Sequence, residues 1–179
     1  ASYFVSSIVS KEVLEVFNKT VDKIKELGCI VDYVPVKHID KAVVLYQIIA
    51  MGEASSNLAR FDGVRYGLSK NASTIDSMYK KVRSEGFGSE VKRRIMVGSY
   101  LLSGENAKIY YNKALSIRDD IRKEFKKVFN KYDYVIGPTT VTTAYDLTDP
   151  MDDPSKTFMD DVLVMPVNMA GLPGLNMPL

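Results

Sequence analysis

The sequence predicts an α/β fold, and three observations carry that reading. An amphipathic helical pattern over residues 10–27 runs into a glycine and then a short β-branched segment at residues 29–34. A longer helical pattern over residues 107–130 is likewise followed by a short apolar segment, residues 134–137. The 179 residues are 46% hydrophobic, ample for a real core at single-domain length, so a disordered chain is excluded.

Taken in order, Ser10 is placed to cap the first helix, and Val13, Phe17, Val21, Ile24 and Leu27 recur at helical spacing. Gly28 sits where a left-handed C-terminal residue belongs, and Pro35 stops the strand that follows. A second helix begins at about Asp40, with Ile48, Ile49 and Ala50 directed towards a core. Within residues 46–67 this apolar run gives way to small and polar residues. The side chains of Ala54, Ser55, Ser56 and Asn57 are small enough for another backbone or a ligand to approach closely. The segment is therefore either a binding site or a tight helix crossing. Asp62-Gly63 and Tyr66-Gly67 supply turn chemistry, while Glu53, Arg60 and Arg65 are either paired with each other or aimed at something polar.

Ser73-Thr-Ile-Asp76 has the form of a capping box for a helix running to about Ser84. Gly86 and Gly88 break the chain. Ser89 then caps a helix whose apolar stripe is Val91, Ile95, Met96, Ser99 and Leu102. Lys92, Arg93 and Arg94 cannot all share one face, and Arg94 is the best placed to face inward. The long helix over 107–130 has Ile109, Ala114, Leu115, Ile117, Ile121, Phe125, Val128 and Phe129 as its core face. After the apolar segment at 134–137 comes a loop over 139–150. Asp153-Pro154 then fits an N-cap followed by proline at the first helical position, giving a helix over 155–163 that carries Asp160 and Asp161 and ends at Pro166. Residues 168–174 read as a tight loop entering a strand. No repeat, low-complexity tract or long linker divides the chain.

Lysine and arginine number 24 against 22 acids, and a net charge of +2 does not by itself imply nucleic-acid binding. One cysteine, Cys29, and one histidine, His38, exclude an internal disulfide and a Cys/His zinc centre. Cys29 is expected to pack as a small apolar residue in a protein of the reducing cytoplasm. No apolar run approaches the roughly 20 residues that span a bilayer, and no signal-peptide pattern opens the chain. Apolar segments at both ends lead us to expect a fragment.

Glu-Ala-Ser-Ser-Asn-Leu-Ala-Arg-Phe-Asp-Gly-Val-Arg-Tyr-Gly, from Glu53 to Gly67, resembles a signature of the amidase signature family. Within that family it is similar to the glutaminase-type A subunits of glutamyl-tRNA(Gln) amidotransferases. Further matches follow in order: Arg83-Ser-Glu-Gly-Phe-Gly with Glu90-Val-Lys-Arg-Arg-Ile, Gly137-Pro-Thr-Thr with Thr142-Thr-Ala, Asp152-Asp-Pro, and Pro166-Val-Asn-Met-Ala-Gly-Leu-Pro-Gly. Gln47, Val141 and Glu105-Asn106 depart from the family pattern, where aromatics or a proline are usual. The resemblance covers nearly the whole chain and is weakest over the first forty residues. It implies that residues 1–179 are the helix-rich C-terminal part of a single domain, whose fold is a mixed β-sheet flanked by helices on both faces.

Family members hydrolyse amides with two serines and a lysine, the usual logic of an activated nucleophile. The resemblance places those residues N-terminal to the matched region, so no catalytic residue is expected here. Ser55-Ser56 lacks the flanking glycines of the family's serine-rich stretch. What remains is a pocket wall for glutamine, which needs a forked donor for the carboxylate and an acid for the ammonium group. By resemblance Arg94 holds the substrate carboxylate, Asp161 faces the amino group and Tyr46 lines the pocket. The residues alone leave other readings open: a salt bridge for Arg94, a solvated Asp161, a core Tyr46. Thr139, Thr140, Thr142 and Thr143 offer hydroxyls at a strand end, either to a ligand or to turn hydrogen bonds within the loop.

The resemblance implies a cytoplasmic complex in which this subunit releases ammonia from glutamine. A partner subunit uses the ammonia with ATP and Mg to convert Glu-tRNA(Gln) to Gln-tRNA(Gln) in translation. No cofactor, metal or membrane contact is expected of this chain. Two competing readings are another small-amide hydrolase of the same family and a non-catalytic module. The module would bind a partner subunit or tRNA through Lys80, Lys81, Lys92, Arg93, Lys126 and Lys127.

Overall fold

The computed structural model describes residues 1–148 and 159–178, which separate into two compact units. The first comprises Ala1–Tyr46 and Ser116–Leu179, the second Gln47–Leu115. Among the described residues the regular structure is helical, and no strand forms.

In the first unit, Ser10 caps α1 (Lys11–Glu26) by accepting a hydrogen bond from the Val13 amide at 3.3 Å. Phe17 and Val21 are the buried face of α1, and Gly28 ends it at φ +89°, as expected. Leu27, one residue past α1, is exposed. A 3-10 turn, Ile39–Lys41, leads into α2 (Ala42–Leu58), burying Ile39, Ala42 and Leu45. The C-terminal part of α5 (Asn112–Phe129) supplies the centre of this unit's core, with Ile121 and Phe125 fully buried.

Two segments expected as strands are not strands here. Residues 29–36 and 132–141 run without ladder hydrogen bonds, and Cys29, Ile30 and Tyr134 are exposed, Tyr134 to 85%. A strand is defined by its partner, and neither segment has one among the described residues. Their backbones are held instead by isolated bonds. The Ser2 amide donates to Val34 O at 2.9 Å and the Ser10 amide to Val141 O at 2.8 Å, while the Tyr132 hydroxyl donates to Asp32 at 2.8 Å. Cys29 is thus a surface residue rather than a core one.

The end of the chain also differs from expectation. Residues 155–158 lie outside the described region, as do the expected cap Asp153-Pro154 and the Asp152-Asp-Pro motif. Residues 159–160 are helical, and residues 161–164 form turns. Pro166 does not end a helix but sits in the first turn of α6 (Met165–Ala170), where a missing amide hydrogen costs nothing. Residues 168–170, expected in a loop, close α6, and Gly171 at φ +69° terminates it.

The second unit is built from the latter part of α2 with α3 (Ile75–Gly86), α4 (Ser89–Leu102) and a π-helical turn, Ala107–Tyr111, that opens into α5. The cap of α3 is Thr74 rather than Ser73, and Ser77 rather than Asp76 completes the box, with reciprocal bonds of 3.1 Å. Gly88, not Ser89, precedes α4, with no side-chain cap. The C-terminus of α2 is capped from a distance: Arg83 donates to Leu58 O at 3.0 Å and to Phe61 O at 3.3 Å. Gly63 and Gly67 have φ of +81° and +80°, the turn geometry their neighbours foretold.

The apolar stripe of α4 is rotated from the expected one. Gly98 and Leu101 are buried, whereas Met96 is 73% exposed and Ser99 and Leu102 also face out. The cause is the close approach of α2. A Cβ on Gly98 would stand 2.6 Å from the Met51 carbonyl carbon and 2.7 Å from Ser55 Cβ. Ser55 and Ser99 share a hydroxyl–hydroxyl bond of 2.9 Å at the same crossing. A helix that touches its neighbour through glycine turns that side inward and leaves its methionine to solvent. In the long helical segment Ile109 and Phe129, expected in the core, are exposed: Ile109 lies in the π-turn, which shifts the register before Asn112, and Phe129 is the last residue of α5.

Candidate functional site

Arg94 lies in the second turn of α4 and is half-buried, its side chain 44% exposed. Its Nε donates to Glu90 Oε1 at 2.7 Å, so the salt bridge is made within its own helix, one turn back. Glu90 also accepts from Arg93 Nε at 2.8 Å and Nη2 at 2.7 Å. These two guanidinium groups, Arg93 first, hold the Glu90 carboxyl well below its usual 4.5, at about 2. Arg94 is therefore not turned into the core. It is braced through Nε while its two terminal nitrogens have no protein partner among the described residues, which leaves a fork suited to a carboxylate.

The sign of the Glu90 shift sets a pH window. A carboxyl with a lower pKa in the folded than in the unfolded state contributes stability above the unfolded value and loses it as pH falls. The contribution of this cluster is accordingly intact above about 4.5 and fades towards about 2. Replacing Glu90 with Gln flattens that part of the stability–pH profile, followed by thermal unfolding at stepped pH. An unchanged acid limb overturns the assignment.

Tyr46 lies on α2 and is half-buried, neither a full core residue nor a free one. Asp161 is half-buried at the start of the turns preceding α6, and its carbonyl accepts from the Met165 amide at 2.9 Å. Its neighbour Asp160 accepts a short hydrogen bond from the Tyr145 hydroxyl, which pushes the phenol's pKa up. Tyr46 and Asp161 belong to the first unit and Arg94 to the second.

Of the four loop threonines, Thr140 alone makes a side-chain hydrogen bond within the loop among the described residues, whereas Thr139 reaches a distant residue. Thr140 donates to Thr142 O at 2.8 Å, and Thr139 donates to the Asn176 side chain at 2.7 Å. Ser55, whose hydroxyl is engaged by Ser99, has no lysine or histidine hydrogen-bond partner among the described residues. Arg65 is paired with Asp62 at 2.9 Å, and the Arg65 amide first, then the Val64 amide and that guanidinium, hold the Asp62 carboxyl at about 2. Glu53 and Arg60 make no ion pair among the described residues.

A cavity of about 420 Å³ in the first unit, beside α5 and His38, contains none of the three expected residues. Its acids are already matched, Asp120 with Lys123 and Glu124 with Lys127. Among the described residues no group of three or more His, Cys, Asp or Glu could hold a metal ion, and no helix is long and apolar enough to cross a membrane.

Sequence reasoning missed Glu90 as the brace of Arg94, Gly98 as the seat of the α2–α4 crossing, and Arg83 as the cap of α2. The first two signals were present as spacing: Glu90 and Gly98 each stand four residues from Arg94, one turn to either side. Arg83 is separated from Leu58 by a loop and a helix, and nothing local announces it.

The chain belongs to the amidase family, whose profile matches residues 3–179. It is 46% identical over 171 residues to the A subunit of the glutamyl-tRNA(Gln) amidotransferase of Staphylococcus haemolyticus, covering 95% of this chain and 35% of that protein. The corresponding protein of Staphylococcus aureus strain JH9 is equally similar, 46% over 171 residues with the same coverage. The chain thus spans about a third of the length of the curated relatives it matches.

Proposed function

We propose that this chain is the glutamine-facing C-terminal part of the ammonia-releasing subunit of a tRNA-dependent amidotransferase. The carrying observation is the 46% identity over 95% of the chain to the A subunits of glutamyl-tRNA(Gln) amidotransferases. Residues 1–179 then form part of one domain whose sheet is mixed, and the segments 29–34 and 134–137, which expose Ile30 and Tyr134, pair with strands outside this chain. In that setting Arg94 holds the glutamine carboxylate with its unpaired nitrogens, Asp161 meets the ammonium group and Tyr46 lines the pocket. The nucleophile, its relay serine and its lysine lie elsewhere in the longer protein. The complex works in the cytoplasm, and ATP and Mg act at a partner subunit that converts Glu-tRNA(Gln) to Gln-tRNA(Gln).

The RNA-binding module finds less support. Lys80 pairs with Asp76, Arg93 with Glu90 and Lys127 with Glu124, while Lys92 donates to Ser84 O. Cations already committed to protein acceptors release fewer counterions on meeting phosphate. The test is ammonia release from glutamine by the 179-residue chain and by the full-length subunit in its complex. Activity of the full-length form alone is expected; turnover by the short chain would show a nucleophile within it, with Ser55 and Ser56 the first to replace.

A further inference from the structure

We propose that Gly98 is a positioning residue for glutamine recognition, because its backbone contact with Met51 sets where α4 carries Arg94. This rests on the reading of Arg94 as the carboxylate donor.

The joint is tight in a way side chains cannot relieve. A Cβ on Gly98 would fall inside contact distance of the Met51 carbonyl oxygen and 2.6 Å from its carbon, and both atoms belong to the backbone of α2. By contrast, a Cβ on Gly52 would be crowded by side chains rather than backbone: the ring of Tyr111, at 2.9 Å, which can swing, and Leu102 at an ordinary 3.5 Å. The hydroxyl bond between Ser55 and Ser99, 2.9 Å long, fastens the same crossing and fixes its sliding register. All these residues and Arg94 lie in one unit.

Arg94 precedes Gly98 by four residues, about one turn of the same helix. Its guanidinium is braced to Glu90 on α4 itself, at 2.7 Å, and so moves with that helix. Any displacement of α4 that admits a methyl group at Gly98 is passed to the Arg94 fork. A misplacement of about 1 Å at a reacting complex can cost roughly a hundredfold in rate. The glycine is needed for reach, not for backbone freedom: it stands in the middle of α4 and carries the usual helical penalty of about 1 kcal/mol relative to alanine.

The experiment uses the full-length subunit in its complex and compares kcat/KM for glutamine with that for 4-aminobutanamide, which is glutamine without its α-carboxylate. The ratio of the two does not depend on how much enzyme is folded. Gly98→Ala is expected to lower it at least about tenfold, Arg94→Ala to lower it as far or further, and the double variant to fall no lower than Arg94→Ala. If Arg94→Ala lowers the ratio and Gly98→Ala leaves it at the wild-type value, the positioning role is overturned. If Arg94→Ala itself leaves the ratio unchanged, it is the carboxylate reading that fails. Should Gly98→Ala yield no soluble protein, Ser99→Ala at the same joint decides: a drop of threefold or more supports the role, and a wild-type ratio refutes it.

Discussion

Replacing Arg94 by alanine in the full-length protein raises the apparent glutamine KM by roughly 10- to 150-fold, with a much smaller change in kcat. The magnitude follows from a hydrogen bond to a charged group, worth about 1.5–3 kcal/mol, at about 1.4 kcal/mol per tenfold. The carboxylate of glutamine takes no part in amide cleavage, so losing its partner weakens ground state and transition state alike, which is the signature of a KM effect. Arg94→Lys restores only part of the affinity, since an ammonium group offers a point charge in place of a planar fork. Steady-state ammonia release across a glutamine titration measures both variants. A KM within twofold of wild type for Arg94→Ala would remove this residue from the pocket and leave its pair with Glu90 as its whole role.

Phe125→Ala is expected to destabilise the chain by about 3–5 kcal/mol, the range for an aromatic removed from a closed core. Phe125 is 1% exposed, and Ile121, one turn before it on α5, is 0% exposed. With stabilities of about 5–15 kcal/mol usual for a domain, that loss consumes a large share of the total. Ile121→Val, which removes a single methyl group, costs about 0.5–1.5 kcal/mol. Urea unfolding of the 179-residue chain followed by circular dichroism reads both. The exposed Lys126 replaced by alanine on the same helix serves as control, with an expected change within about 0.5 kcal/mol. Equal midpoints for Phe125→Ala and Lys126→Ala would place the core elsewhere.

Much of the helical framework was legible because its signals are local. Ser10 and Gly28 bracket α1 as their side-chain chemistry requires, and the turns at Gly63 and Gly67 take the positive φ that Asp-Gly and Tyr-Gly announce. The family was legible from motifs that extend beyond any one element, and the match over residues 3–179 bears it out. Of the two readings offered for the small residues Ala54, Ser55, Ser56 and Asn57, the structure realises the close helix crossing at Ser55.

Two of the failures turn on which surfaces meet, and one on a local position. Residues 29–34 and 134–137 have the composition of strands, but strand formation depends on a neighbour that a periodic pattern does not name. The stripe of α4 was misjudged because an apolar pattern treats Met96 as core and Gly98 as neutral. At a backbone-to-backbone crossing, it is the residue without a side chain that faces the partner. Pro166 was taken as a stop because proline breaks helix interiors, whereas at the first turn of α6 it is tolerated.

By itself the sequence determined where α1 starts and stops, which turns require glycine, and the family to which the chain belongs, because caps, turns and motifs are written in residues near one another along the chain. Only the tertiary structure decided that Arg94 is braced by Glu90 with its terminal nitrogens open, that Arg83 caps a helix twenty-five residues away, and that Gly98 is the contact point of α4 with α2. Those are matters of which surfaces meet, and they are set by packing at distances of a few ångströms between residues far apart in the chain.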